Sequence, residues 1–160
     1  MEKLLLFVLM AVVWMTAQAQ QIDEELAMKA LFQGKHAVNR AAHAAAQQLD
    51  ERRLAYGEVH IDSGEAAAAI RQYLMANLQL DGTLTPMASS LFRERVEIVL
   101  LEVINEDRSF PYTYSNSAYN YEVTLERPGV ILIVRLHYPR AFNVLRPIEW
   151  YVKGTAELVY

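Results

Sequence analysis

Hydrophobic and polar positions fall into three successive regimes along this chain. From residue 4 to residue 14 nearly every side chain is apolar: Leu4, Leu5, Leu6, Phe7, Val8, Leu9, Met10, Ala11, Val12, Val13 and Trp14. No polar residue divides this run into faces, so as a helix it is greasy all round and suits lipid or a protein interior. Past residue 20 the apolar positions become periodic. Ile22 and Leu26 stand four apart, and Val38, Ala41, Ala42, Ala45 and Leu49 recur at three and four, the stripe of an amphipathic helix. Strong helix formers dominate up to Arg53, and Glu25 with Lys29 adds a favourably oriented i,i+4 pair. The residues of the stripe are small, which lets the helix lie close to a sheet or a second helix. Joined to the apolar run, the pattern predicts one helix of about fifty residues, weakened only at Gly34 and ended at Tyr56-Gly57.

A second helix is predicted after a short extended segment over 58–62. Asp62 or Ser63 caps it; with Asp62 as the cap Glu65 falls three residues on, and Ala66, Ile70, Tyr73, Leu74 and Leu78 form its buried face until Asp81-Gly82. Residues 83–90, with Pro86, read as a loop. The period then changes from helical to two. Residues 97–104 are β-rich, with Glu97 and Glu102 on opposite faces by parity. Tyr119, Tyr121, Val123 and Leu125 alternate with polar residues, and Arg127-Pro128-Gly129 reads as a tight turn. Val130, Leu132, Val134, Leu136 and Tyr138 alternate next. A last strand sets Ile148, Trp150, Val152, Ala156 and Leu158 on one face. Helices first and strands afterwards predict an α+β domain: helix laid over one face of an antiparallel sheet of three to four strands.

Composition adds location. Lys3, the apolar run and the small residues of Ala17-Gln18-Ala19 make an export signal, so residues 1–19 read as a leader and 20–160 as one extracytoplasmic domain. The run is longer than many signal cores and shorter than the about 20 residues of a standard membrane span. Helix continuing beyond it favours a single-pass anchor formed by Leu4, Leu5, Leu6, Phe7, Val8, Leu9, Val12, Val13 and Trp14; the alternative is secretion after cleavage at Ala19. The net charge of −4 and the lack of a dense Lys/Arg cluster argue against nucleic acid as a partner. With no cysteine, the domain is held by packing alone, and thiol catalysis and thiolate metal sites are excluded.

Candidate chemistry is sparse. His36, Arg40 and His43 share a helix face, but the imidazoles are too far apart for one ion and Arg40 places a positive charge between them, so no metal is expected. A hydrolase would need His60 or His137 to meet an acid and a nucleophile in one cleft, and no nucleophile motif or phosphate loop is present. Neither a catalytic residue nor a cofactor is expected. The most recognition-like stretch is 109–121, rich in Tyr, Ser and Asn, the composition of binding loops. Tyr112, Tyr114, Tyr119 and Tyr121 are its candidate partner contacts, against the plainer reading that these tyrosines cover part of a sheet.

An apolar helix running into the Ala-rich segment 35–46, followed by an antiparallel sheet, resembles a pilin-type architecture, specifically the TadE-like minor pilins or pseudopilins of Tad-type pilus systems. The C-terminal strand pair carries the rest of the likeness: residues 130–138, then Pro139, Phe142 and Pro147, then 148–160. No Gly-then-apolar processing site precedes the hydrophobic run, and Asp23, Glu24 and Glu25 follow it. The resemblance implies a non-enzymatic, envelope-anchored structural or assembly protein. Its partners would be the membrane, through the N-terminal helix, and other pilin-like subunits or assembly proteins, with Val38, Ala41, Ala42, Ala45 and Leu49 packing the helix. The alternative is a freely secreted binding module using the tyrosine-rich segment.

Overall fold

The structure is a computed structural model that describes residues 2–140 and 146–159. Phe142 of the aromatic-Pro step and Tyr160 of the last strand lie outside the described residues. The chain is α+β. A helix α1 (Glu2–Ala46) is followed by a single turn α2 (Glu51–Leu54), a helix α3 (Ser63–Leu78) and strands β1 (Glu97–Ile104), β2 (Tyr112–Asn116), β3 (Tyr121–Leu125), β4 (Gly129–Tyr138) and β5 (Ile148–Glu157).

The apolar and amphipathic regimes are one continuous helix of 45 residues. It ends at Ala46, several residues short of the sequence expectation. Leu49 leaves the helix to form an antiparallel bridge with Ile61, flanked by Asp50 N–H donating to the His60 carbonyl and Asp62 N–H to that of Gln48. Asp50 then starts α2 by accepting from the amides of Arg52 and Arg53. Leu49 is therefore a bridge residue and not part of the helical stripe. Asp62 caps α3 by accepting from Gly64 and Glu65, as its spacing indicates. That helix stops earlier than Asp81-Gly82, at Gln79 in the left-handed conformation. Tyr73 is 42% exposed and does not join the buried face of Ala66, Ile70, Leu74 and Leu78.

Strands β1, β4 and β5 form one antiparallel sheet with β4 central, and β2 pairs with β3 as a separate hairpin. The segment 127–129 is thus no hairpin turn: β4 pairs with β1 and β5, and the chain crosses there from one layer to another. Alternate residues of β4, Val130, Leu132, Val134 and Leu136, face the helices within the main core. The other face is covered too. Ile131 packs with Ile104 and Leu125 in a second cluster, against Tyr112, Tyr114, Tyr121 and Val123 of the hairpin. The result is three layers: helices, sheet, hairpin. A strand enclosed on both faces reads as an apolar run, which is why residues 130–134 are all hydrophobic.

A bulge between Ile98 and Leu100 resets the face of everything after it in β1. Glu97 pairs with Arg135 and Glu102 with Ile131, so the two carboxylates share a face, contrary to simple parity. They are four residues apart along β4, about 13 Å, and do not form a carboxylate pair.

Candidate functional site

The amphipathic stripe is the seam of the molecule. Val38, Ala41, Ala42 and Ala45 are fully buried, together with Ala30, Ala37 and Ala46, between α3 on one side and β4 and β5 on the other. Its first buried residue is Asp23, only 3% exposed, whose carboxylate meets the Arg140 guanidinium at 3.1 Å. Tyr138 lies beside them, stacked on Trp150 with centroids 6.0 Å apart. Burial pushes the Tyr138 hydroxyl up, and the Asp23 charge adds to the shift.

Before Asp23 the helix projects from the domain, and among the described residues no side chain buries it. None of residues 2–22 is buried; Leu4, Leu5 and Phe7 are exposed by 70% or more, and Trp14 by 65%. At 1.5 Å per residue this projection is about 30 Å long, comparable to the hydrocarbon core of a bilayer. Among the described residues this is the single helix long and apolar enough to cross a membrane, and the same length and composition suit a signal sequence.

The tyrosine-rich segment is divided by the hairpin. Tyr112, Tyr114 and Tyr121 turn towards Ile131 and are half-buried, while Thr113 and Thr124 face outward and join through their hydroxyls at 3.0 Å. Tyr112 and Tyr114 are covering side chains. At the hairpin tip a 3₁₀ turn, Ser117–Tyr119, is started by the Asn116 side chain and followed by Asn120 in the left-handed conformation. That turn lays the tip along the outer face of β5 in step with the strand. The Tyr121 hydroxyl meets that of Thr155, Lys153 donates to the Asn120 carbonyl at 3.1 Å, and the Tyr119 ring tilts against Tyr151 at 5.5 Å. The Lys153 ammonium also stands 5.5 Å from the centre of the Tyr121 ring.

An open groove of about 430 Å³ results, lined by Ala118, Tyr119, Asn120, Tyr151 and Lys153. Its volume falls in the range of small-molecule sites, roughly 300–1,000 Å³. Beside it runs a polar chain across the outer sheet face. Arg135 pairs with Glu97, and His137 meets Glu149 at 3.1 Å and Glu94 at 3.5 Å. The Tyr151 hydroxyl beside Glu149 holds that carboxyl below its usual range, and the carboxylate in turn pushes the phenol up, with Arg135 near the same hydroxyl. Alternation alone marked Tyr151 and Lys153 merely as the outer face of the last strand. Their meeting with Tyr119 depends on the hairpin crossing to that face.

The remaining titratable candidates are occupied structurally. His60 Nδ1 lies 3.0 Å from Glu106, and its Nε2 lies 3.2 Å from the Asn105 amide nitrogen rather than a nucleophile. Asn105, buried, accepts from the Ile61 N–H at 2.8 Å and donates to its carbonyl at 3.1 Å, acting as a one-residue strand partner. Arg40 donates to Asn77, and among the described residues no group of His, Asp and Glu converges as a metal site. No family model, curated protein or solved structure matches the chain.

Proposed function

We propose that this is an exported, envelope-anchored structural or assembly protein of pilin-like type, without enzymatic activity. The observation that carries the reading is the unbroken α1: one rigid rod serves as apolar projection and as central element of the domain. Such a rod transmits the orientation of its membrane half to the sheet half, which a flexible linker would not do. The exposed run from Leu4 to Trp14 seats in lipid or against neighbouring subunits, and Lys3 and the acidic triplet 23–25 bracket it with charge. Helix through Ala17-Gln18-Ala19 supports the uncleaved form, because a peptidase takes extended chain. The partners proposed are the membrane and other pilin-like subunits or assembly proteins.

A second reading, a secreted domain beginning at Gln20, is favoured by one feature. Asp23, Glu24 and Glu25 would then occupy the beginning of the mature helix, where carboxylates complement the helix dipole. In a continuous helix they gain nothing of that kind. Alkaline washing of native membranes, then N-terminal sequencing and intact mass, separates the two. Retention in the pellet with residues 4–14 intact supports the anchor. A soluble protein starting at Gln20 overturns it.

A further inference from the structure

We propose that the groove between the hairpin tip and β5 binds an acidic saccharide, a pyranose ring bearing a carboxylate. The inference is independent of how the N-terminal helix is used. Its ground is the way the lining side chains are held. Tyr151 is 42% exposed, its hydroxyl stands beside Glu149 and Arg135, and its ring rests against Tyr119 at an interplanar angle of 42°. Those contacts fix the ring while leaving aromatic surface open to the groove. A platform of that kind takes the C–H face of a sugar without first losing rotamer freedom.

The polar groups give the charge and the hydrogen bonding. The Lys153 ammonium is positioned by the Asn120 carbonyl and the Tyr121 ring and forms no ion pair among the described residues. The five lining residues, Ala118, Tyr119, Asn120, Tyr151 and Lys153, include no carboxylate, and Glu149 beside them stands at the Tyr151 hydroxyl. An anion is the complement of such a site. Asn120 is exposed, and its amide supplies a donor and an acceptor together, as vicinal hydroxyls require. Fixed ring, amide and lone ammonium thus match three parts of one ligand: ring face, hydroxyls and carboxylate. An acidic peptide would satisfy Lys153 and, through its backbone, the amide, but a chain such as tri-glutamate offers no C–H ring face to the platform.

Saturation-transfer NMR on the full chain in detergent tests this, with trigalacturonate, a neutral trisaccharide and a tri-glutamate peptide as probes. Trigalacturonate is expected to bind about tenfold more tightly than the neutral sugar, with the preference fading as salt is raised. Lys153→Met should remove that preference, while Tyr151→Ala should weaken both sugars. Tyr151→Phe, which keeps the ring and loses the hydroxyl, should fall between Tyr151→Ala and the native chain. Thermal melts identify any variant that fails to fold, and the fixed-sequence comparison of the three probes stands regardless of the variants. Absence of trigalacturonate binding overturns the proposal. So does tri-glutamate binding as strong as that of trigalacturonate, or unchanged affinity in well-folded Lys153→Met and Tyr151→Ala.

Discussion

Gly154 of β5 lies directly under Val38 of α1: a Cβ at position 154 would stand 2.8 Å from Val38 Cγ1 and 3.2 Å from the Val38 carbonyl oxygen. Four residues earlier on the same helix, a Cβ at Gly34 would overlap the side chain of Leu136 on β4. The glycine that weakens α1 as an isolated helix therefore seats it on the sheet. Gly154→Val is expected to lower stability by about 1–3 kcal/mol through overpacking. Val38→Ala should recover part of that loss in the double variant, so a thermal-melt double-mutant cycle would read a non-zero coupling.

Ala41 and Ala45 are fully buried in the same seam. Ala41→Leu and Ala45→Leu add volume where the backbones already approach closely, and each is expected to destabilise by about 1–3 kcal/mol. Chemical denaturation of the full chain checks this. Wild-type midpoints in both variants would mean the seam is loose.

Asn105 holds both backbone groups of Ile61, itself fully buried. Asn105→Ala leaves an amide and a carbonyl unmatched there, an expected loss of about 2–4 kcal/mol. Asn105→Asp keeps the acceptor but sets a buried carboxylate oxygen against the Ile61 carbonyl, so urea unfolding near neutral pH should show little recovery over Asn105→Ala.

The Asp23–Arg140 pair is the last fixed point before α1 leaves the domain, with side-chain exposures of 5% and 22%. Asp23→Ala strands a largely buried guanidinium and is expected to cost about 3–5 kcal/mol. Asp23→Leu with Arg140→Met replaces both charges by apolar groups and should restore most of that, as measured by urea unfolding.

Acid should destabilise the domain. Hydrogen bonds from the Glu65 and Gly64 amides hold Asp62 below its ordinary value, those from Thr83 and Thr85 do so for Asp81, and the Tyr151 hydroxyl does so for Glu149. Each shift is downward in the folded state, so its stabilisation is complete above the unfolded-state value and is lost as pH falls through the folded one. The melting temperature is expected to hold near neutrality and to drop below about pH 4. Asp62→Asn should flatten part of that acid limb by removing one titrating cap.

The sequence by itself determined what depends on neighbours along the chain. Apolar run, small-residue stripe, the Asp62 cap and the alternation of β4 and β5 follow from steric and hydrogen-bonding preferences within a few residues, and they were sufficient for the α+β class. What the tertiary structure decided involves groups distant in sequence. Leu49 left its helix because Ile61 offered a bridge, and Tyr112 and Tyr114 became cover because the hairpin folded over Ile131. The bulge in β1 turned Glu102 to the face of Glu97, which parity had denied. The groove depended on the hairpin, since Tyr119 and Tyr151 meet only when a hairpin tip is carried across a sheet. Local pattern encodes which face of an element is apolar. Which partner covers that face is set by the competition of whole layers for burial, and no short window of sequence contains it.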